Sequence, residues 1–191
     1  MAIKLLITDF DGTLVDTFEA NYHAYAKTFE NHGMTLDLNV YRECFGLRFD
    51  DFMEKTGIYE CKLREIIRKE KAEVYPEYFN FLRINLPLLT MIREFRRSGR
   101  KTAVASTARS VNLHNALHFI GAENDFDLIL AGESVKRGKP DPEIYLSVLD
   151  KLGVSPKEAL VFEDSLVGFE AAQRAGINYL PINKYFFGND N

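Results

Sequence analysis

Apolar residues fall along this 191-residue chain in two rhythms, short continuous runs and helical repeats, and their alternation is the first guide to its fold. The first run, Ile3 to Thr8, is rich in Ile and Leu and reads as a buried strand. It stops at Asp9-Phe10-Asp11-Gly12-Thr13, where two acids and a glycine make continued pairing unfavourable. From Phe18 the period becomes helical: Phe18, Tyr22, Tyr25 and Phe29 share a face, and Gly33 stands where such a helix ends. Helical material continues from about Asp37 to Phe81, notably over Cys61 to Val74, where the charged run Arg68-Lys69-Glu70-Lys71 reads as a solvated face. No alternating strand pattern interrupts this stretch, which predicts a helical insertion over residues 16–81 with hinges near Val15–Phe18 and Asn80–Leu86.

From Leu86 onward helix and strand alternate as in βαβ units. Leu88, Leu89, Ile92 and Phe95 line a helix that Gly99 terminates. Thr102 to Ala105 reads as a strand ending at Ser106-Thr107, and Val111, Leu117 and Ile120 mark a helix closed by Gly121. Asp127 to Ala131 is a further strand, followed by the polar loop Gly132 to Lys139. Asp141 as N-cap and Pro142 in the first turn open a helix that runs to Gly153. Ser155 and Glu158 have capping-box spacing. Ala159 to Phe162 is a strand delivering Glu163-Asp164, Ser165 can cap the helix that Gly176 ends, and Asn178 to Ile182 is the last strand. Gly188 to Asn191 is expected to fray. The predicted class is α/β: a Rossmann-like, doubly wound parallel sheet from residues 1–15 and 82–191, with a small α-helical cap domain, residues 16–81, inserted.

Composition narrows the function more than the fold. A formal charge of −4 provides no excess of Lys and Arg to neutralise phosphates, which argues against nucleic acid as a partner. No window approaches 18 apolar residues, and the apolar start is cut at Asp9 before it could serve as a signal-peptide core; no membrane association and a cytoplasmic location are expected. Cys44 and Cys61 form neither a metal spacing nor a disulfide framework, as suits a reducing compartment.

Ligands bind open parallel sheets at the carboxyl ends of their strands. Polar groups stand at four such ends: Asp9 with Asp11, Ser106, Lys139 on the loop after its strand, and Glu163 with Asp164. In these motifs the sequence resembles the haloacid dehalogenase superfamily of hydrolases, in the subfamily with a helical cap inserted after the first motif. Asp9, Asp11 and Thr13 match its Asp-x-Asp-x-Thr motif, Ser106 its strand-terminal Ser or Thr, Lys139 in Gly138-Lys139-Pro140-Asp141-Pro142 its lysine, and Glu163-Asp164 its acidic pair. The resemblance covers nearly the whole chain and the cap least well.

It implies a Mg²⁺-dependent phosphatase for small phosphorylated metabolites, working through an aspartyl-phosphate. Asp9, a carboxylate ionised at neutral pH, would attack phosphorus without a base. Asp11 would protonate the leaving alkoxide and later take a proton from water. A phosphate dianion beside Asp9, Glu163 and Asp164 demands cations: Lys139 and Mg²⁺. Asp9, Asp164 and the carbonyl of Asp11 are the expected metal ligands, with Glu163 bound directly or through water. Phe10, Asp11, Ser106, Thr107 and Lys139 are the expected phosphate contacts, the first two through backbone N–H groups. In the cap, Asn21 and Arg48 are candidate substrate contacts. His114 and His118 have an i,i+4 spacing but no third ligand nearby, and His23 is expected to pack or be solvated. A monomer or weak dimer is expected.

Three other functions remain open on the sequence: a phosphomutase resembling β-phosphoglucomutase, an inorganic pyrophosphatase, and a non-catalytic phospho-acceptor module. Phe49 stands where the mutases are expected to carry a sugar-phosphate arginine. Asp11 and Lys139 argue against a mere acceptor, which needs no general acid.

Overall fold

The computed structural model describes residues 2–187. In chain order it contains β1 (Leu5–Thr8), β2 (Val15–Asp16), α1 (Phe18–Asn31), α2 (Leu38–Cys44), α3 (Phe49–Lys55), α4 (Cys61–Val74), β3 (Arg83–Ile84), α5 (Leu86–Arg97), β4 (Lys101–Ala105), α6 (Ser110–Phe119), β5 (Leu128–Leu130), α7 (Glu143–Leu152), β6 (Ala159–Glu163), α8 (Leu166–Arg174) and β7 (Asn178–Pro181). Two compact units result, one from the residues up to Asp16 together with those from Arg83 onward, the other Thr17–Leu82. Gly188 to Asn191, expected to fray, lie outside the described residues.

In the larger unit five parallel strands lie in the order β5-β4-β1-β6-β7, the α/β class expected. All four residues of β1 are buried, as an Ile- and Leu-rich strand covered on both faces requires. The chain passes outward from β1 to β4 and β5, then returns to the other side of β1 for β6 and β7, so β1 borders the topological switch point. Leu5 and Ile7 pack with Ala103, Ala105 and Val161 of the neighbouring strands and with Ile144, Tyr145 and Val148 of α7. The α7 helix closes on Gly153, whose φ of +62° suits a residue without Cβ.

The smaller unit is helical. Its core is aromatic: the Tyr41 ring stands 5.3 Å from Phe18, 5.6 Å from Tyr22 and 5.6 Å from Phe52. His23 lies against Phe81 at 4.6 Å and stacks on Tyr78 at 5.6 Å, so of the two expected roles, packing or solvation, it packs.

Three local expectations are corrected. The run Arg68 to Lys71 is not wholly a solvated face, because Lys71 is buried, its Nζ 3.7 Å from the centroid of the Tyr75 ring. The helix α7 begins at Glu143, with Pro142 in the N-cap position, although Asp141 still accepts the Glu143 N–H at 3.0 Å. An antiparallel ladder pairs Val15 with Ile84 and Asp16 with Arg83, too short to leave a periodic signal. Asn85 secures this ladder's far side. It is fully buried, its Nδ2 donates to the Thr13 carbonyl at 3.2 Å, and its Oδ1 caps α5 by accepting the Leu88 N–H at 3.1 Å.

Replacing Asn85 with Ala leaves both the Leu88 N–H and the Thr13 carbonyl without their partner. Denaturant unfolding of Asn85→Ala is expected to show a loss of about 2–4 kcal/mol, and Asn85→Asp, which keeps the cap and loses the donor, an intermediate loss. An Asn85→Ala protein as stable as the wild type would contradict this assignment.

Candidate active site

Backbone geometry at the end of β1 aims the first motif. Asp9 is the last residue tied to the sheet, its N–H donating to the Phe162 carbonyl at 3.0 Å. The Phe10 ring is buried, while its carbonyl accepts the N–H groups of Leu14 at 3.1 Å and Val15 at 3.0 Å and turns the chain back. Phe10 can therefore offer a ligand only backbone atoms. Gly12 sits at φ +87°, and a Cβ there would lie 2.1 Å from Oδ2 of Asp164. Only glycine permits both the turn and this approach.

Four strand ends converge at this point. Lys139 is buried on the loop after β5, following which the bond to Pro140 is cis. Its Nζ donates to Asp9 Oδ1 at 2.6 Å and to Glu163 Oε1. Glu163 Oε1 also accepts the Tyr145 hydroxyl at 3.2 Å. Its Oε2 accepts the N–H of Asp164 at 2.9 Å and both the N–H and the hydroxyl of Ser165 at 3.0 Å. Gly168 of α8 leaves room for this carboxyl, since a Cβ there would fall 1.9 Å from its carbon. Asp164 Oδ1 accepts the Thr13 hydroxyl at 3.0 Å. Ser106 Oγ stands 3.4 Å from Asp11 Oδ2 and accepts the Ala108 N–H at 3.0 Å. Thr107 is exposed, and its carbonyl lies so near Gly132 that a Cβ there would come within 2.5 Å of it.

The charges follow from burial. Burial alone would discharge Lys139, but Asp9, Tyr145 and Glu163 outweigh it and hold the ammonium well above its ordinary pKa. For Glu163, burial is likewise outweighed, by Lys139 and the Ser165 donors, and its carboxyl stays low. Asp9 fares differently: burial pushes it well above the usual carboxylate range, Lys139 only partly opposes this, and Glu163 and Asp164 add to it. Burial and the neighbouring Glu163 raise Asp164 to about 6 against the Thr13 hydrogen bond. Three carboxylates against one ammonium leave two negative charges to be balanced.

A divalent cation fits that deficit. Asp9, Glu163 and Asp164 each present an oxygen within 4.8 Å of the others, all hard donors of the kind Mg²⁺ takes. Asp9 and Asp164 keep an oxygen for it, whereas both oxygens of Glu163 are engaged. His114 and His118 are exposed and bond instead to the Ser110 carbonyl at 2.8 Å and Glu123 at 2.7 Å.

The candidate contacts in the smaller unit have their own surroundings. Asn21 accepts the Lys71 ammonium at 2.6 Å and donates to the Thr17 carbonyl at 3.1 Å. Arg48 is exposed at the N-terminus of α3. Phe49, beside it, lies under the Arg68 guanidinium at 4.3 Å. Sequence reasoning missed Tyr145, Lys71 and Asn85; the six-residue step from Lys139 to Tyr145 was the available signal for the first. No helix among the described residues is long and apolar enough to cross a membrane.

A family model described as haloacid dehalogenase-like hydrolase matches residues 6–182. A phosphorylated carbohydrates phosphatase of Thermotoga maritima is 35% identical, the match covering 92% of this chain and 82% of that protein. A β-phosphoglucomutase of Bacillus subtilis is 24% identical over 92% of this chain and 81% of its own. The crystal structure of CbbY from Rhodobacter sphaeroides in complex with phosphate superposes with a TM-score of 0.83 at 28% identity, covering 99% of this chain and 90% of that one.

Asp164 sets a pH prediction. Its folded pKa of about 6 lies above the ordinary 3.8, so between these values the folded chain holds the extra proton and stability falls as pH rises. Asp164→Asn removes that penalty and keeps an acceptor for Thr13. At neutral pH in chelator the variant is expected to exceed the wild type in unfolding free energy by on the order of 2 kcal/mol, the gap closing towards about pH 4. Added Mg²⁺ should stabilise the wild type and not the variant. Denaturant titrations across pH check this, and a variant less stable at neutral pH in chelator would contradict it.

Proposed function

The chain belongs to the haloacid dehalogenase-like hydrolases, and from that premise we propose that it is a Mg²⁺-dependent phosphatase acting on small phosphorylated carbohydrates through a phosphorylated Asp9. The observation that carries this reading is the buried Asp9–Lys139–Glu163 contact at the carboxyl ends of β1 and β6, with a second carboxylate, Asp11, two residues on. Lys139 holds one oxygen of Asp9, which sets the orientation in which the carboxylate attacks phosphorus. Lys139 offsets the negative charge that gathers there, and the Ser106 hydroxyl, the backbone after Asp9 and Thr107 support the phosphoryl oxygens. Asp11 gives its proton to the leaving sugar alkoxide and then removes one from the water that releases phosphate. Asp9 and Asp164, with the Asp11 carbonyl, would hold Mg²⁺, which supplies charge neutralisation and orientation of the phosphate when bound.

Carbohydrate phosphates are favoured as substrates because the Thermotoga maritima relative at 35% identity is named for them. The helical unit acts in this reading as the cap that excludes water, with Asn21 and Arg48 as substrate contacts. The mutase reading would use the same Asp9 and Asp11, and the Bacillus subtilis relative is named for that activity. The products separate the two.

Purified protein with Mg²⁺ is expected to release inorganic phosphate from members of a sugar-phosphate panel, in step with substrate lost. Chelation should abolish turnover and Mg²⁺ restore it, and Asp9→Asn should lower kcat by at least roughly a thousandfold. Full activity of Asp9→Asn would overturn the phosphatase reading; an isomerised sugar phosphate with little free phosphate would replace it with the mutase.

A further inference from the structure

Glu163 receives more donors than holding a metal would ask of it. Lys139 and Tyr145 address Oε1, while the Asp164 N–H, the Ser165 N–H and the Ser165 hydroxyl address Oε2. A carboxylate has about four lone-pair sites, so five donors saturate it. Such a group holds its neighbours in place. Three of its donors come from the two residues that follow it in the chain and one is the ammonium; Tyr145 reaches it from a different element, α7.

Tyr145 is fully buried, and its ring is locked among Leu5, Ile7, Val148 and Val161 of the core. Its O–H carries a single proton, which goes to the oxygen that also binds Lys139, at 3.2 Å. The Lys139 Nζ stands 5.2 Å from the centroid of the same ring. Phenylalanine would fill the same volume, so packing does not account for the hydroxyl.

We propose that Tyr145, in the phosphatase reading given above, is a positioning residue that shares Oε1 of Glu163 and thereby keeps the Lys139 ammonium on Asp9. Two carboxylates compete for one ammonium in a buried space, where each contact is strong. An oxygen already accepting a hydroxyl proton draws a second donor less. With the hydroxyl removed, Glu163 draws Lys139 more fully, and Asp9 loses both its counter-charge and the contact that orients its carboxylate. Tyr145 touches no reacting atom; it acts through Glu163 and Lys139.

The test compares Tyr145→Phe with the wild type in three measurements: kcat and KM on a hydrolysed sugar phosphate, uptake of beryllium trifluoride with Mg²⁺ followed by fluorine NMR, and thermal melting. Beryllium trifluoride mimics a phosphoryl group on an aspartate and needs no substrate. The proposal expects kcat to fall roughly tenfold with KM within about twofold, and beryllium trifluoride binding to weaken by a similar factor to kcat. Wild-type kcat and wild-type trifluoride affinity in Tyr145→Phe would overturn it, whether or not the melting temperature falls, because the hydroxyl would then serve stability alone. If the wild type binds the trifluoride but hydrolyses no ester, the phosphatase reading fails and the role of Tyr145 is decided by the trifluoride titration. A wild type that does neither overturns both.

Discussion

Lys139 brings one positive charge into a buried space that also holds Asp9 and Glu163, and removing it leaves both carboxylates there without a counter-charge. Breaking such a buried pair typically costs about 3–5 kcal/mol, so the contact constrains everything built around it. It requires that β1 lie beside β6 and that the loop after β5 reach back across the sheet, and the strand order supplies the first of these. It requires space, which Gly12 gives to Asp164 and Gly168 gives to Glu163 by carrying no side chain. It also requires that the remaining lone pairs of Glu163 be met, a task divided among the Asp164 N–H, Ser165 and Tyr145. The site's electrostatics follow from the same arrangement. One ammonium cannot balance three carboxylates, and the two whose pKa values are pushed up, Asp9 and Asp164, are the two that retain an oxygen for a cation.

Much of this was legible in the sequence because the chemistry sits where apolar runs stop. Asp9, Ser106 and Glu163-Asp164 each end or follow a strand whose composition announces it, and the structure brings them together with Lys139. What the sequence could not tell is how many donors a buried carboxylate collects. Glu163 reads as a metal ligand of uncertain directness until its five hydrogen bonds are counted. Tyr145 reads as one more apolar residue on the face of α7, because its ring obeys the helical period and its hydroxyl leaves no trace in it. Lys71 illustrates the opposite error: a charged run suggests solvent, yet the ammonium is buried between Asn21 and the face of Tyr75. The ladder of β2 with β3 and the buried Asn85 escaped notice since two-residue strands have no period and one asparagine near a hinge looks like a turn.

The two crossings of the chain into the helical unit both start from that short ladder, at Asp16 and Arg83. Asn85 ties it through Thr13 and Leu14 to the loop that carries Asp11, and Thr13 in turn donates to Asp164. The short ladder, the loop that carries Asp11 and the acidic pair are thus one hydrogen-bonded assembly within the larger unit.

In the proposed reaction Asp9, oriented by Lys139, is the nucleophile that attacks phosphorus. Rapid acid quench during turnover of a sugar phosphate radiolabelled in its phosphoryl group, followed by peptide mapping, tests it most directly. Label is expected on the peptide that contains Asp9, appearing before free phosphate accumulates and absent from Asp9→Asn. Label on another residue, or steady release of phosphate with no labelled protein at any time during rapid turnover by a form in which Asp9 is replaced, would contradict it.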